Sequence, residues 1–490
     1  MASGGPKSLD CPGPAGSDCG NRDGETGARA IGAGGRRMRD LQTDITPPRS
    51  AEVLVIGGGI GGLVAADVLA RAGHRVLVIE AGDWLGGMHH SVEIGPYSFD
   101  LGAIFYEEEA ALFALAPGLR DLCPQVQRVQ CRIDPEGALC HYPIELRDLR
   151  RWPRARLAGA VAAMLAARLL VRPDGTLDRA CVNRLGPVFY RGTGLRDYVA
   201  RFNVSPPEAI DAEFFVDRMR FVHRQTAFAA MLRAGWNGLR HGAFRVKPRE
   251  PLRVRPRAGY GVLFERIRAR LEAAGVRFVL QAPVTRIERD AAGRMVVTTA
   301  AGAFTAGTVI GAAPLDMLHR AVFGTASGFE SLSLLTLFVS AGRFAPGAGD
   351  LLFNFHGEGR WKRATFYSRI YPDPAIPREY FSVEVTLRPE ERLTPEAVFA
   401  EFAAQCLRLG LGEDLRLEGA VTTPQAYPLY RPGQLARRAA VLERLAQAGV
   451  MPVGRQGRFE YLPTASGVAR RVQEELTRAG LAHAGRDGQP

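Results

Sequence analysis

AEVLVIGGGIGGLVAADVLARAGHRVLVIE, residues 51–80, decides the fold. Residues 51–56 form a β-branched apolar run that reads as a strand buried on both faces of a parallel sheet. A glycine-rich turn follows, then an apolar helical stretch from Leu63 to a glycine stop at Gly73, then a second strand from His74 to Ile79 that closes on Glu80. The turn has the spacing G-x-G-x-x-G at Gly57, Gly59 and Gly62. Gly57 permits the tight turn, Gly59 lets a pyrophosphate approach the backbone, and Gly62 lets helix and strand pack closely. Ile60 and Gly61 lie at the helix N-terminus, where free N–H groups and the positive dipole end favour phosphate. Glu80 at the strand end suits the hydroxyls of an unphosphorylated ribose, which points to FAD or NAD over NADP.

Working outward, 490 residues exceed one compact domain and predict two or three. With 46% hydrophobic and 23% charged residues the chain is globular as a whole. The longest apolar run, Leu157 to Ala167, falls short of the roughly 20 residues that cross a bilayer. The seven cysteines form no CxxC and no zinc spacing, so no metal site is expected and the thiols read as reduced, in a cytoplasmic protein. Residues 1–50 are rich in Gly, Ser, Pro and Arg without periodicity, a disordered tail in which Met38 is a candidate start.

The formal charge of +12 is unevenly placed. Residues 141–260 carry 23 basic and 10 acidic side chains, which is the whole excess. Such a region suits an anionic small-molecule substrate or peripheral contact with an anionic membrane surface, rather than nucleic acid.

After Glu80 the chain continues Ala81-Gly82-Asp83-Trp84-Leu85-Gly86-Gly87-Met88. This resembles the E-A-x-x-x-x-G-G extension of the FAD-dependent flavoprotein superfamily that includes amine oxidases, protoporphyrinogen oxidases, phytoene desaturases and UDP-galactopyranose mutases. The resemblance implies an FAD cofactor, with Gly86, Gly87 and Met88 along it. Further matches are Pro256 to Tyr260 before a helix from Gly261 to Ala274, Val284 to Ile287 as the strand whose Val284 backbone meets the adenine, and Thr308 to Pro314. No second G-x-G-x-x-G follows a strand, so a separate nicotinamide domain is not expected.

The C-terminal third resembles the mutases more specifically, through Gln425 to Tyr430, a helix from Gln434 to Ala448, and Gly454-Arg455-Gln456-Gly457-Arg458-Phe459-Glu460-Tyr461. Arg360-Trp361-Lys362-Arg363 resembles the mutase Y-T-R strand. The resemblance implies that Arg363 and Arg455 sit over the flavin and hold a substrate diphosphate, with Tyr427 beside them; a planar guanidinium binds phosphate oxygens bidentately. Two departures stand against a mutase: Ile104 occupies the position of its flavin-contacting His, and Tyr461-Leu462-Pro463-Thr464 lacks its acid. An amine-oxidase flavin-contacting lysine would have to be Lys247 or Lys362, neither in a recognisable context, and His89 or His90 is within sequence reach of the flavin.

The expected fold class is α/β, a Rossmann-type FAD-binding domain with an interleaved α+β substrate domain. Residues 51–105, 250–320 and 445–480 would build the FAD domain. Residues 106–249 would form a helical basic insert, with amphipathic runs at 153–171 and 210–240, and 321–444 an antiparallel sheet including Ser331 to Ser340 and Tyr380 to Leu387. Residues 481–490 would be a tail. Three functions compete. The first is an FAD-dependent oxidoreductase acting on an anionic small molecule. The second is a flavin-dependent sugar-nucleotide isomerase. The third is a flavin-free binding protein like the guanine-nucleotide dissociation inhibitors, disfavoured by the intact glycines and Glu80.

Overall fold

The apolar run at residues 51–56 lies inside a seven-stranded sheet in the computed structural model, which describes residues 49–102, 104–145, 148–214 and 250–482. Ser50–Ile56 is flanked by Val76–Ile79 and Gly302–Gly311, both parallel to it, with Val53 opposite Val76 on one side and Thr308 on the other. Arg277–Val279 pairs with Val76–Ile79, Met295–Thr299 and Val284–Arg289 extend the far side as an antiparallel meander, and Val450–Pro452 adds in parallel to Gly302–Gly311. Val53 to Ile56 are all buried because both faces are covered. Val53 and Val55 pack with Leu63, Leu263 and Val472 of the helices Ile60–Arg71, Gly261–Ala273 and Ala465–Arg478. Leu54 and Ile56 face Leu318 and Leu445 of Leu315–Phe323 and Gln434–Gln447. Four buried apolar residues in a row are what two-sided cover selects.

The second sheet runs in the order Gly412–Pro428, Ser331–Phe344, Glu379–Leu387, Trp361–Phe366, Leu351–Asn354, Gln130–Ile133, Leu139–His141. Its strands alternate. Leu335, Leu337, Val383 and Val385 pack against Val398 and Phe402 of the helix Pro395–Arg408, while Thr336, Ser382 and Glu384 lie on the opposite face. That period of two gives each face its own chemistry.

Several boundaries differ from the sequence reading. The tail is shorter than 1–50: Ser50 already belongs to the first strand, and Arg49 O accepts Thr305 N at 2.9 Å. The first helix starts at Ile60, not Leu63, since the glycines join it. The stretch from 106 is not simply helical, because Gln130–Ile133 and Leu139–His141 join the second sheet. Nor is that sheet wholly antiparallel, as Leu351–Asn354 pairs in parallel with Gln130–Ile133. Strands of three or four residues carry too little alternation to be read alone; their ladder partners define them. The helices Arg154–Leu170, Leu177–Gly192 and Leu195–Asn203 follow, whereas most of the run at 210–240 lies outside the described residues, as do Lys247, residues 1–48 and residues 483–490. Leu481 and Ala482 are not a tail but pack on the core, with Leu481 N donating to Leu476 O at 3.0 Å.

Candidate functional site

The glycine turn forms a cradle made of backbone. Gly59 is the N-cap of Ile60–Arg71 and supplies no side-chain cap, the first turn holds no acid, and the first helical bond is Leu63 N to Gly59 O. The N–H groups of Ile60, Gly61 and Gly62 therefore precede the helical ladder, the arrangement that binds phosphate oxygens. A Cβ on Gly62 would lie 1.8 Å from Gly57 O, so only glycine permits this approach of helix to turn. A Cβ on Gly59 would meet nothing nearer than Gly87 Cα at 3.9 Å. The protein itself leaves that space open, which fits a pyrophosphate.

Glu80 closes the cradle, its carboxylate accepting Gly58 N at 2.5 Å and Gly82 N at 2.8 Å. Ala81 is exposed beside it, and Gly86 N donates to Gly58 O at 2.9 Å, which holds Gly86, Gly87 and Met88 along the turn. Gln281 N and Ala282 N donate to Gly82 O and Glu80 O, bringing Val284 to the same side two residues later. The donor set of this turn and the open space at Gly59 fit FAD. Just past Met88, His89 turns inward among Tyr106, Tyr260 and Phe264, with Nδ1 3.3 Å from Gly86 O. Burial, reinforced by the nearby Arg455 cation, lowers its pKa to about 4. His90 instead stacks on Trp84 at 4.2 Å, and Ile104 is fully buried core.

Arg455 reaches this region from the short helical turn Gly454–Gly457. That turn is fixed to the first sheet by Val453 N donating to Gly311 O, and Gly454 Cα approaches Gly61. Arg455 donates to Ala426 O at 2.9 Å and lies over Tyr427 and Tyr461, 5.4 and 5.1 Å from the ring centres. Its Nε is buried and makes no hydrogen bond. Arg363 pairs with Glu384 across adjacent strands of the second sheet. Arg363 is linked to Tyr427 and Arg455 through Glu384 and Lys362, whose ammonium lies over the Tyr427 ring.

Phe202 and Glu384 escaped the reading, and Lys362 entered it only as a lysine without a recognisable context. Lys362 is 2% exposed, its Nζ 3.3 Å from Glu384 and over the rings of Tyr427 at 4.0 Å and Phe202 at 4.6 Å. Glu384 is the single carboxylate shared by Lys362 and Arg363. Burial would raise its pKa, but the Arg363 and Lys362 cations outweigh that and hold it below the usual carboxylate value. The same pairing keeps Arg363 above its ordinary value against the pull of burial. A bulge between Trp361 and Arg363 is what turns neighbouring residues 362 and 363 toward one carboxylate.

Comparison with known proteins agrees with this geometry. Residues 55–115 match an NAD(P)-binding Rossmann-like domain, and residues 194–339 match the flavin containing amine oxidoreductase family. A 1-hydroxycarotenoid 3,4-desaturase of Flavobacterium sp. is 36% identical over 91 residues, 19% of this chain and 18% of that relative. The chain thus spans less than a fifth of that relative's length. Among solved structures, reduced UDP-galactopyranose mutase superposes with a TM-score of 0.70 at 17% identity, covering 89% of this chain and 95% of the other. A putrescine oxidase bound to putrescine gives 0.56 at 16% identity, covering 88% and 99%. The chain carries a segment that matches a flavin-containing oxidoreductase family, on the fold that these solved structures share.

Proposed function

We propose that the chain is an FAD-dependent oxidoreductase acting on an anionic small molecule. One observation carries this reading: Lys362 and Arg455 lie over the same Tyr427 ring, with Phe202 and Tyr461 beside it, and Lys362 shares the Glu384 carboxylate with Arg363. Buried Lys362 and half-buried Arg363 share the one carboxylate of Glu384, and half-buried Arg455 adds a further positive charge whose Nε holds a donor in reserve for a substrate oxygen. FAD, when bound, supplies the acceptor for a hydride from a C–H or C–N bond. The chain's own part is placement: Arg455 and Arg363 hold the anionic group, Tyr427 packs against the substrate body, and the aromatic walls exclude water. Glu384 keeps the two neighbouring cations in position and does not touch substrate.

The gathering of Arg363, Tyr427 and Arg455 also supports a second reading, a sugar-nucleotide isomerase. Ile104 weighs against it, since an aliphatic core side chain offers no contact to a flavin nitrogen. Anaerobic spectroscopy separates the two. In the redox reading, FAD-loaded protein bleaches with an anionic hydride donor and regains colour with an acceptor. Turnover of a UDP-sugar by dithionite-reduced protein, with no bleaching by any donor, would promote the isomerase.

A further inference from the structure

Among the described residues, the helix Arg154–Leu170 is packed on one side only. Ala160, Met164 and Ala167 are buried against Leu177–Gly192, where Gly186 lets the two backbones approach; a Cβ there would lie 2.6 Å from Met164 Cα. The opposite side is apolar and open to solvent. Val161, Leu165 and Leu169 recur every four residues and are 40%, 50% and 86% exposed, and Leu170 is 80% exposed. The positions between them on the same side, Ala158, Ala162 and Ala166, are also exposed. A stripe of this kind, with the exposed side of the helix built from Val, Leu and Ala, is costly to leave in water.

Charge at the two ends tells what covers it. The helix contains no acid. Arg154, seven residues ahead of Val161, starts the same stripe, Arg151 precedes it, and Arg172 follows the last turn; all three are exposed. Among the described residues none of the three is in an ion pair, while the neighbouring carboxylates are spent elsewhere. Glu136 faces Arg156, and Asp174 accepts from Thr176 N at 2.9 Å and Thr176 Oγ1 at 2.6 Å. An apolar stripe bracketed by unneutralised arginines complements one kind of surface, acyl chains beneath anionic headgroups.

We propose that Arg154–Leu170 is an interfacial docking helix: Val161, Leu165, Leu169 and Leu170 enter the outer acyl region of an anionic bilayer while Arg151, Arg154 and Arg172 meet its phosphates. At 17 residues the helix is about 25 Å long, and it lies in the membrane plane rather than crossing it. Among the described residues no helix is long and apolar enough to span. The proposal is independent of the flavin chemistry, since the helix packs on Leu177–Gly192 and the cradle is built from Ile60–Arg71 and the turn before it.

The test is flotation of the full chain with vesicles of phosphatidylcholine alone, or with about one third phosphatidylglycerol, alongside sedimentation velocity. Wild type is expected to float with the acidic vesicles, to bind neutral ones at least about tenfold more weakly, and to be released as salt rises over the range that screens exposed charges. The triple change Leu165→Ser, Leu169→Ser, Leu170→Ser should cut binding to acidic vesicles about tenfold or more with the melting temperature unchanged, since these side chains are exposed. Should the triple variant misfold, Arg154→Gln with Arg172→Gln must weaken binding to acidic vesicles alone. Absence of binding by wild type, or equal binding by well-folded variants, overturns the proposal. So does a wild-type dimer that the serine variant converts to monomer, which would make a second copy the cover.

Discussion

The two seven-stranded sheets solve opposite problems. The first buries apolar residues on both faces and leaves its chemistry to the ends of its strands, where Gly57 to Gly62 present backbone N–H groups. The second keeps one face apolar against Pro395–Arg408 and places buried charge on the other, with Lys362, Arg363 and Glu384 held side chain to side chain. A site made of backbone depends on what glycine lacks. A site made of side chains depends on which strands happen to be neighbours.

That contrast predicts two different failures at the cradle. Gly62→Ala puts a methyl 1.8 Å from Gly57 O, so the loss should exceed about 4 kcal/mol with or without cofactor, visible as failure to reach a native denaturation midpoint. Gly59→Val enters open space on an extended backbone, φ −71°. It should leave the melting temperature of the flavin-free protein unchanged and abolish flavin retention. Equal damage by both substitutions would mean that the space at Gly59 serves packing alone.

At the second sheet, Glu384→Gln should cost about 3–5 kcal/mol in chemical denaturation, because Lys362 and Arg363 remain buried without their carboxylate. A loss under about 1 kcal/mol would show that water reaches the pair. Arg455→Lys is the milder probe. A point charge cannot reproduce the guanidinium fork, so kcat/KM for the anionic substrate should fall about 10–100-fold with little change in stability. An unchanged kcat/KM would remove Arg455 from the substrate site. The smallest effect lies where the two regions meet. His89 has its folded pKa lowered to about 4, against about 6.5 unfolded. Between those values the unfolded chain binds the extra proton, so stability should rise with pH from 4 to 6.5 and level off above. His89→Gln should abolish that rise and leave the pH dependence above about 6.5 unchanged.

The same contrast explains what could be read in advance. Gly57, Gly59, Gly62 and Glu80 are contiguous with the strands and helix that place them, so the strand, turn, helix and strand around them could be read from spacing alone. Arg363, Tyr427 and Arg455 came from resemblance, and the structure brings them together from three separate segments. The meeting of Lys362 with Glu384 was illegible, because a bulge at Trp361 and the pairing of Trp361–Phe366 with Glu379–Leu387 set it. The strands Gln130–Ile133 and Leu139–His141 were missed for a related reason: they are strands only by virtue of distant partners.

The most direct test of the central claim is a titration of purified full-length protein with FAD, followed by the flavin spectrum and by equilibrium dialysis. The backbone cradle predicts saturation at one FAD per chain in wild type and no saturable binding in a folded Gly59→Val variant. Failure of wild type to take up FAD, or uptake undiminished by valine at position 59, would contradict it.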